Sequence, residues 1–123
     1  DFAQTYTHTY SSIANVTKRI IKLANTNLTE IATFGSDTQN GAFVRADIRY
    51  IRVTNLDASD ALQVGMDDED SDAAYTSVAA DSSIIFTGTT VEGGNGGTTL
   101  DNATALKVKG AANQQLELFI ASV

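Results

Sequence analysis

The sequence predicts an all-β chain, folded as a single-domain antiparallel β-sandwich or jelly roll of about eight short strands with an extended N-terminal arm. Three observations predict it. Threonine, valine and isoleucine are abundant, and their β-branched side chains suit a pleated surface but lose χ1 freedom in a helix. Short apolar–polar alternations recur along the chain. Turn residues punctuate these runs at intervals of roughly ten residues, with no long helical segment between them.

The elements follow in order. Thr5 to Tyr10 alternates, with Tyr6, His8 and Tyr10 on one face and threonines on the other. It reads as an extended arm or edge strand, so residues 1–15 are assigned to an arm and 16–123 to the sandwich. Ile13, Val16, Ile20, Leu23 and Ala24 fall at helical spacing. The density of β-branched residues favours strands over 16–24 and 28–34, joined by a tight turn at Asn25-Thr26-Asn27. Gly35 to Gly41 is a loop carrying the turn dipeptide Asn40-Gly41.

Phe43 to Thr54 reads as one long strand. Its apolar side changes from Ile51 onward, which predicts a bulge near Tyr50. Ala61 to Met66 is expected to be its antiparallel neighbour. Tyr75–Val78 and Ser83–Thr87 are short strands, and the glycines of Val91 to Thr99 mark a flexible loop. In the last two strands, Leu106 and Val108 oppose Lys107 and Lys109, and Leu116, Leu118 and Ile120 oppose Glu117, Phe119 and Ala121. Gly110 to Asn113 is expected to be the hairpin turn between them.

Composition restricts function. The formal net charge is −7. That disfavours nucleic acid and anionic membrane surfaces, both of which require clustered lysine and arginine. Without cysteine there is neither a disulfide nor a thiolate metal site. No apolar run approaches the ~20 residues of a membrane-spanning helix, and Asp1 to Gln4 has no secretory pattern.

Catalytic constellations are not evident, so no catalytic residue and no cofactor are assigned. The single histidine, His8, lies in the arm and is expected at a subunit contact rather than beside a nucleophile. Asp68, Asp70 and Asp72 alternate as calcium ligands can. Yet Ala73 and Ala79 stand where a calcium loop needs glycine and a bidentate glutamate, so the run is read as a solvated loop. The five-residue stretch Gly93 to Gly97 lacks the lysine of a phosphate loop. Tyr6, His8, Tyr10, Arg45, Arg49 and Arg52 are the interface candidates. Basic residues concentrate in the first half and acidic ones at 67–72, a polarity that suits contact with an identical neighbour or an oppositely charged lattice.

Arg49 to Asp57 (RYIRVTNLD), Leu62 to Gly65, Tyr75 to Phe86, Ala105 to Lys109 and Leu116 to Ala121 occur in an order that resembles small virion proteins of tailed phages, particularly those of marine and cyanobacterial hosts. The resemblance spans about residues 43–122 and departs at Ala80-Asp81, where such proteins often place a glycine turn. It implies a non-enzymatic virion structural protein without choosing among its positions. A compact acidic sandwich with an extended arm, lacking long helices, favours a decoration or cement subunit on the capsid exterior, a trimer bound to the major capsid protein. Neck, tail or fibre subunits, or a carbohydrate- or receptor-binding sandwich, are the alternatives.

Overall fold

The computed structural model describes residues 13–35, 43–68, 73–87 and 103–123. These residues form nine strands: β1 (Asn15–Lys22), β2 (Thr29–Gly35), β3 (Phe43–Val44), β4 (Ile48–Asn55), β5 (Leu62–Asp68), β6 (Ala73–Val78), β7 (Ser83–Thr87), β8 (Ala103–Lys109) and β9 (Gln115–Ser122). They build a four-stranded sheet, β1-β9-β4-β7, and a five-stranded sheet, β3-β2-β8-β5-β6. Apart from the short parallel contact of β2 with β3, all pairings are antiparallel. Without β3 the order is that of a jelly roll, two Greek keys wound into facing sheets.

Alternation builds the core. Leu116, Leu118 and Ile120 of β9 point inward with Ile51 and Val53 of β4. They meet Leu62, Val64 and Met66 of β5 and Leu106 and Val108 of β8 from the other sheet. Fully burying a side chain of this size stabilises the fold by about 1.5–3 kcal/mol. The opposite residues of the same strands, such as Glu117 and Lys107, are left at the two outer faces.

Three expectations need correction. Phe43 to Thr54 is not one strand, because a 3-10 turn over Arg45–Asp47 separates β3 from β4. This break, in which β3 joins one sheet and β4 the other, raises the count from eight to nine. β5 is not a neighbour of β4: it lies in the opposite sheet, between β8 and β6. Gly110 to Asn113 is not a hairpin turn either, since β8 and β9 also belong to different sheets, and the turn after β1 crosses likewise. The expected bulge is present, as a register shift between Ile48 and Tyr50 in the β4–β9 pair. The alternating segment at Thr5 to Tyr10 and the glycine loop at Val91 to Thr99 lie outside the described residues.

All four crossings at one end of the sandwich converge on two buried amides. Asn55 Nδ2 donates to the carbonyls of Asp60 (2.8 Å), Val78 (3.2 Å) and Ala79 (3.2 Å). Asn55 Oδ1 accepts from Gln114 Nε2 (3.0 Å) and from Asp57 N (3.1 Å). Gln114 Nε2 also reaches Asp60 O (3.1 Å), and its Oε1 accepts from Ala111 N (2.7 Å). The backbone of Gln114 in turn accepts from Leu23 N (2.9 Å), the residue that follows β1. Gly110 is required here, because a Cβ would overlap the Gln114 carboxamide. Asn113 and Asp81 adopt positive φ (68° and 56°), which asparagine and aspartate tolerate better than other side chains.

Asp57 caps the β4–β5 crossing. Its Oδ1 accepts from Ser59 N and Asp60 N, both at 2.8 Å. Those bonds, Asp60's first, hold the Asp57 carboxyl below the usual aspartate value.

Candidate functional site

The outer face of the four-stranded sheet is the candidate site. Strand register places its residues in rows. Val16, Ala121 and Tyr50 form one row, Lys18, Phe119, Arg52 and Ile85 the next, and Ile20, Glu117, Thr54 and Ser83 the third. Val16, Ile20 and Ile85 are 57%, 64% and 51% exposed. Val16 and Ile20 stand on the edge strand β1 and Ile85 on the opposite edge strand β7, so exposed apolar side chains flank the centre of this face.

Aromatic and charged side chains occupy the two strands between them. The Phe119 ring sits between two partners. Tyr50 meets it edge-on, with centroids 5.7 Å apart and planes at 84°. The Arg52 guanidinium lies 5.1 Å from its centroid, within cation–π range. Arg52 Nη2 also donates to Glu117 Oε1 at 2.9 Å, and Lys18 Nζ stands 3.8 Å from Glu117 Oε2. Among the described residues, Lys18, Lys22 and Arg52 therefore share this face with one acid, Glu117. The face is locally basic on a chain of net charge −7.

The outer face of the five-stranded sheet differs in chemistry. Asp67 on β5 pairs with Lys107 Nζ on β8 and accepts from Tyr75 Oη on β6 at 3.2 Å. The hydrogen bond to Asp67 is the main cause that raises the Lys107 ammonium above its ordinary value, and desolvation, then Asp67, raise the Tyr75 phenol. Gly65 stands opposite Tyr75 on one side and Lys107 on the other, so their side chains flank a position that has none.

The interface candidates are not gathered together. Arg45 lies in the 3-10 turn, and Arg49 follows at the start of β4, where Nη1 donates to Ile48 O at 3.2 Å. Of the three arginines, Arg52 stands in the rows of the outer face. Tyr6, His8 and Tyr10 lie outside the described residues, as do Asp70 and Asp72 of the calcium candidate, whose first member, Asp68, ends β5. Tyr50 and Tyr75 fall on opposite faces of the sandwich and share no aromatic platform. Sequence reasoning missed Val16, Ile20 and Ile85 as surface residues. The available signal was Val16 and Ile20 at a four-residue spacing, which puts two side chains on one face in a strand as well as in a helix.

Fold and face together define a jelly-roll sandwich with one partly apolar, basic outer surface. No protein-family model matches the chain, and no curated protein matches it. Among solved structures, the chain is similar to one described under the words "Bacillus endospore appendages form a novel family of disulfide-linked pili", at 12% identity, covering 98% of each chain, with a TM-score of 0.47. Likeness at that level carries nothing about assembly, and these 123 residues have no cysteine with which to form such links.

Proposed function

We propose that this chain is a non-enzymatic structural subunit of a virion, a decoration protein that docks on the capsid exterior of a tailed phage through the outer face of its four-stranded sheet. The observation that carries this reading is the exposure of Val16 and Ile20 on one edge strand and of Ile85 on the other, on either side of the charged and aromatic side chains of Phe119, Glu117 and Arg52. Exposed apolar side chains set among aromatic and charged ones on one face suit a protein–protein contact. The cations favour an acidic partner surface and steer the encounter with it. The sequence resemblance to small virion proteins supplies the class of partner, the major capsid protein. A trimer at a threefold axis of the lattice is the expected arrangement, since closed cyclic symmetry is the common solution for such subunits.

The test is binding to purified capsids. Saturable association, together with greater resistance of the capsids to heat, is the expected result. The double variant Ile20→Asp, Ile85→Asp is expected to lose association while keeping its fold. A chain that never associates with capsids overturns the decoration reading.

A further inference from the structure

We infer that residues 1–12 of one copy of this chain add as a strand to the open edge of β1 in a second copy. This inference is independent of the capsid reading, since it uses the edge of the sheet rather than its outer face.

The acceptor is on the page. Among the described residues the sandwich has four sheet edges: β1 with eight residues, β6 with six, β7 with five and β3 with two. β1 is the longest, and the chain contains no proline to block it. Beside β1 the two sheets part to leave a cleft of about 360 Å³, lined by Thr17 and Arg19 of β1, Glu30 and Ile31 of β2, and Phe43 of β3. Arg19 Nη2 spans the opening to Ile31 O at 2.6 Å. An unpaired strand edge with a cleft alongside offers backbone pairing and a pocket for alternate side chains, as strand addition requires.

The occupant follows from where the described chain begins. Ala14 N still donates to Ser122 O at 3.0 Å, so the backbone is bound beside β9 up to that residue. To fold back on its own β1, the chain would have to reverse over Ser11-Ser12-Ile13-Ala14. That stretch has none of the glycine, asparagine or aspartate that a two-residue hairpin turn needs. Continuing outward, twelve extended residues reach about 40 Å, longer than β1 itself. Their sequence alternates, with Tyr6, His8 and Tyr10 as a row suited to the cleft.

Charge selects the pairing. β1 presents Lys18, Arg19 and Lys22, which repel a second β1 at the same edge. Residues 1–12 contain Asp1 and no lysine or arginine. The contact is heterologous, because each copy donates one segment and accepts another. It closes as a ring when the rotation permits and extends as a filament when it does not.

The experiment uses the full chain and the full-length variant Thr7→Pro, Thr9→Pro. Proline removes two strand donors and does not fit a paired segment. The expected result has two parts. Light scattering gives a mass at least double that of the monomer, and amide exchange across Asn15–Lys22 slows as concentration rises. Both are lost in the proline variant, whose unfolding temperature matches that of monomeric parent. The variant Ile85→Asp, on β7 at the far edge of the sheet, keeps the mass, which separates this contact from capsid docking. A chain that is monomeric at every concentration overturns the inference. So does β1 protection that ignores concentration, which marks a segment folded on its own copy, and so does an oligomer that survives the prolines.

Discussion

The two outer faces of the sandwich solve the same problem in opposite ways. On the five-stranded sheet, charge is satisfied within the face: Asp67 takes both the Lys107 ammonium and the Tyr75 hydroxyl, on neighbouring strands. On the four-stranded sheet, Glu117 is shared between Lys18 and Arg52, and Val16, Ile20 and Ile85 stand open around them. Both faces alternate correctly with the core behind them. The contrast teaches that alternation fixes which residues leave the core, whereas the residues that leave decide whether a face ends in water or in a partner.

Substitutions can break the contrast or sharpen it. The largest effect belongs to the end that both sheets share. Gln114→Ala strips Ala111 N and Asn55 Oδ1 of buried partners and is expected to cost about 3 kcal/mol in denaturant unfolding. It lowers both faces alike, and a loss confined to one sheet in amide exchange would show that the faces do not hang from a common end. Next is Phe119→Ala, which removes the ring between Tyr50 and Arg52. A loss of about 2 kcal/mol is expected for a half-buried aromatic with ring and cation contacts, read as a lower unfolding midpoint.

A sharper test is Ile20→Asp, Ile85→Asp. Capsid affinity is expected to fall at least about tenfold, roughly 1.4 kcal/mol, with stability within about 0.5 kcal/mol of the parent. The smallest effect is on the other face. Asp67→Asn is expected to leave capsid binding unchanged and to lower stability slightly at neutral pH. The folded-state values of both Lys107 and Tyr75 are raised, so their contribution is complete below their ordinary values of 10.5 and 10.0 and is lost as pH climbs through the raised ones. The difference between parent and Asp67→Asn should therefore shrink in alkali, and a difference that grows there would contradict the pairing. Asp57 works in the reverse direction. Its folded value is depressed, so its contribution is present above 3.8 and disappears as acid takes the pH below that, a loss that Asp57→Ala should abolish.

Much of the architecture was legible because a period of two survives in the sequence. Leu116, Leu118 and Ile120 against Glu117 and Phe119 announced β9, and Leu106 and Val108 against Lys107 and Lys109 announced β8. What could not be read is the sheet to which each strand belongs. Gly110 and Asn113 serve a reversal, and the same residues serve whether the chain returns within one sheet or crosses to the other. The Asn55–Gln114 pair was invisible for a related reason. Each amide sits at a strand end where a polar turn residue is ordinary, and their burial depends on a partner 59 positions away. The outer face was partly masked by its own composition, since Val16 and Ile20 read locally as members of a core stripe.

The pairing of β1 with β9 along its whole length has a consequence for biosynthesis. β1 leaves the ribosome first among the described strands, and its neighbour among them is the last of them to be made. Until β9 emerges, the four-stranded sheet has no centre, because β9 also separates β1 from β4. Nascent chains therefore cannot display the finished outer face of this sheet, and chains that stop before β9 never acquire it. Such long-range closure is slow compared with local hairpin formation. It also makes the four-stranded sheet depend on translation having passed Ser122.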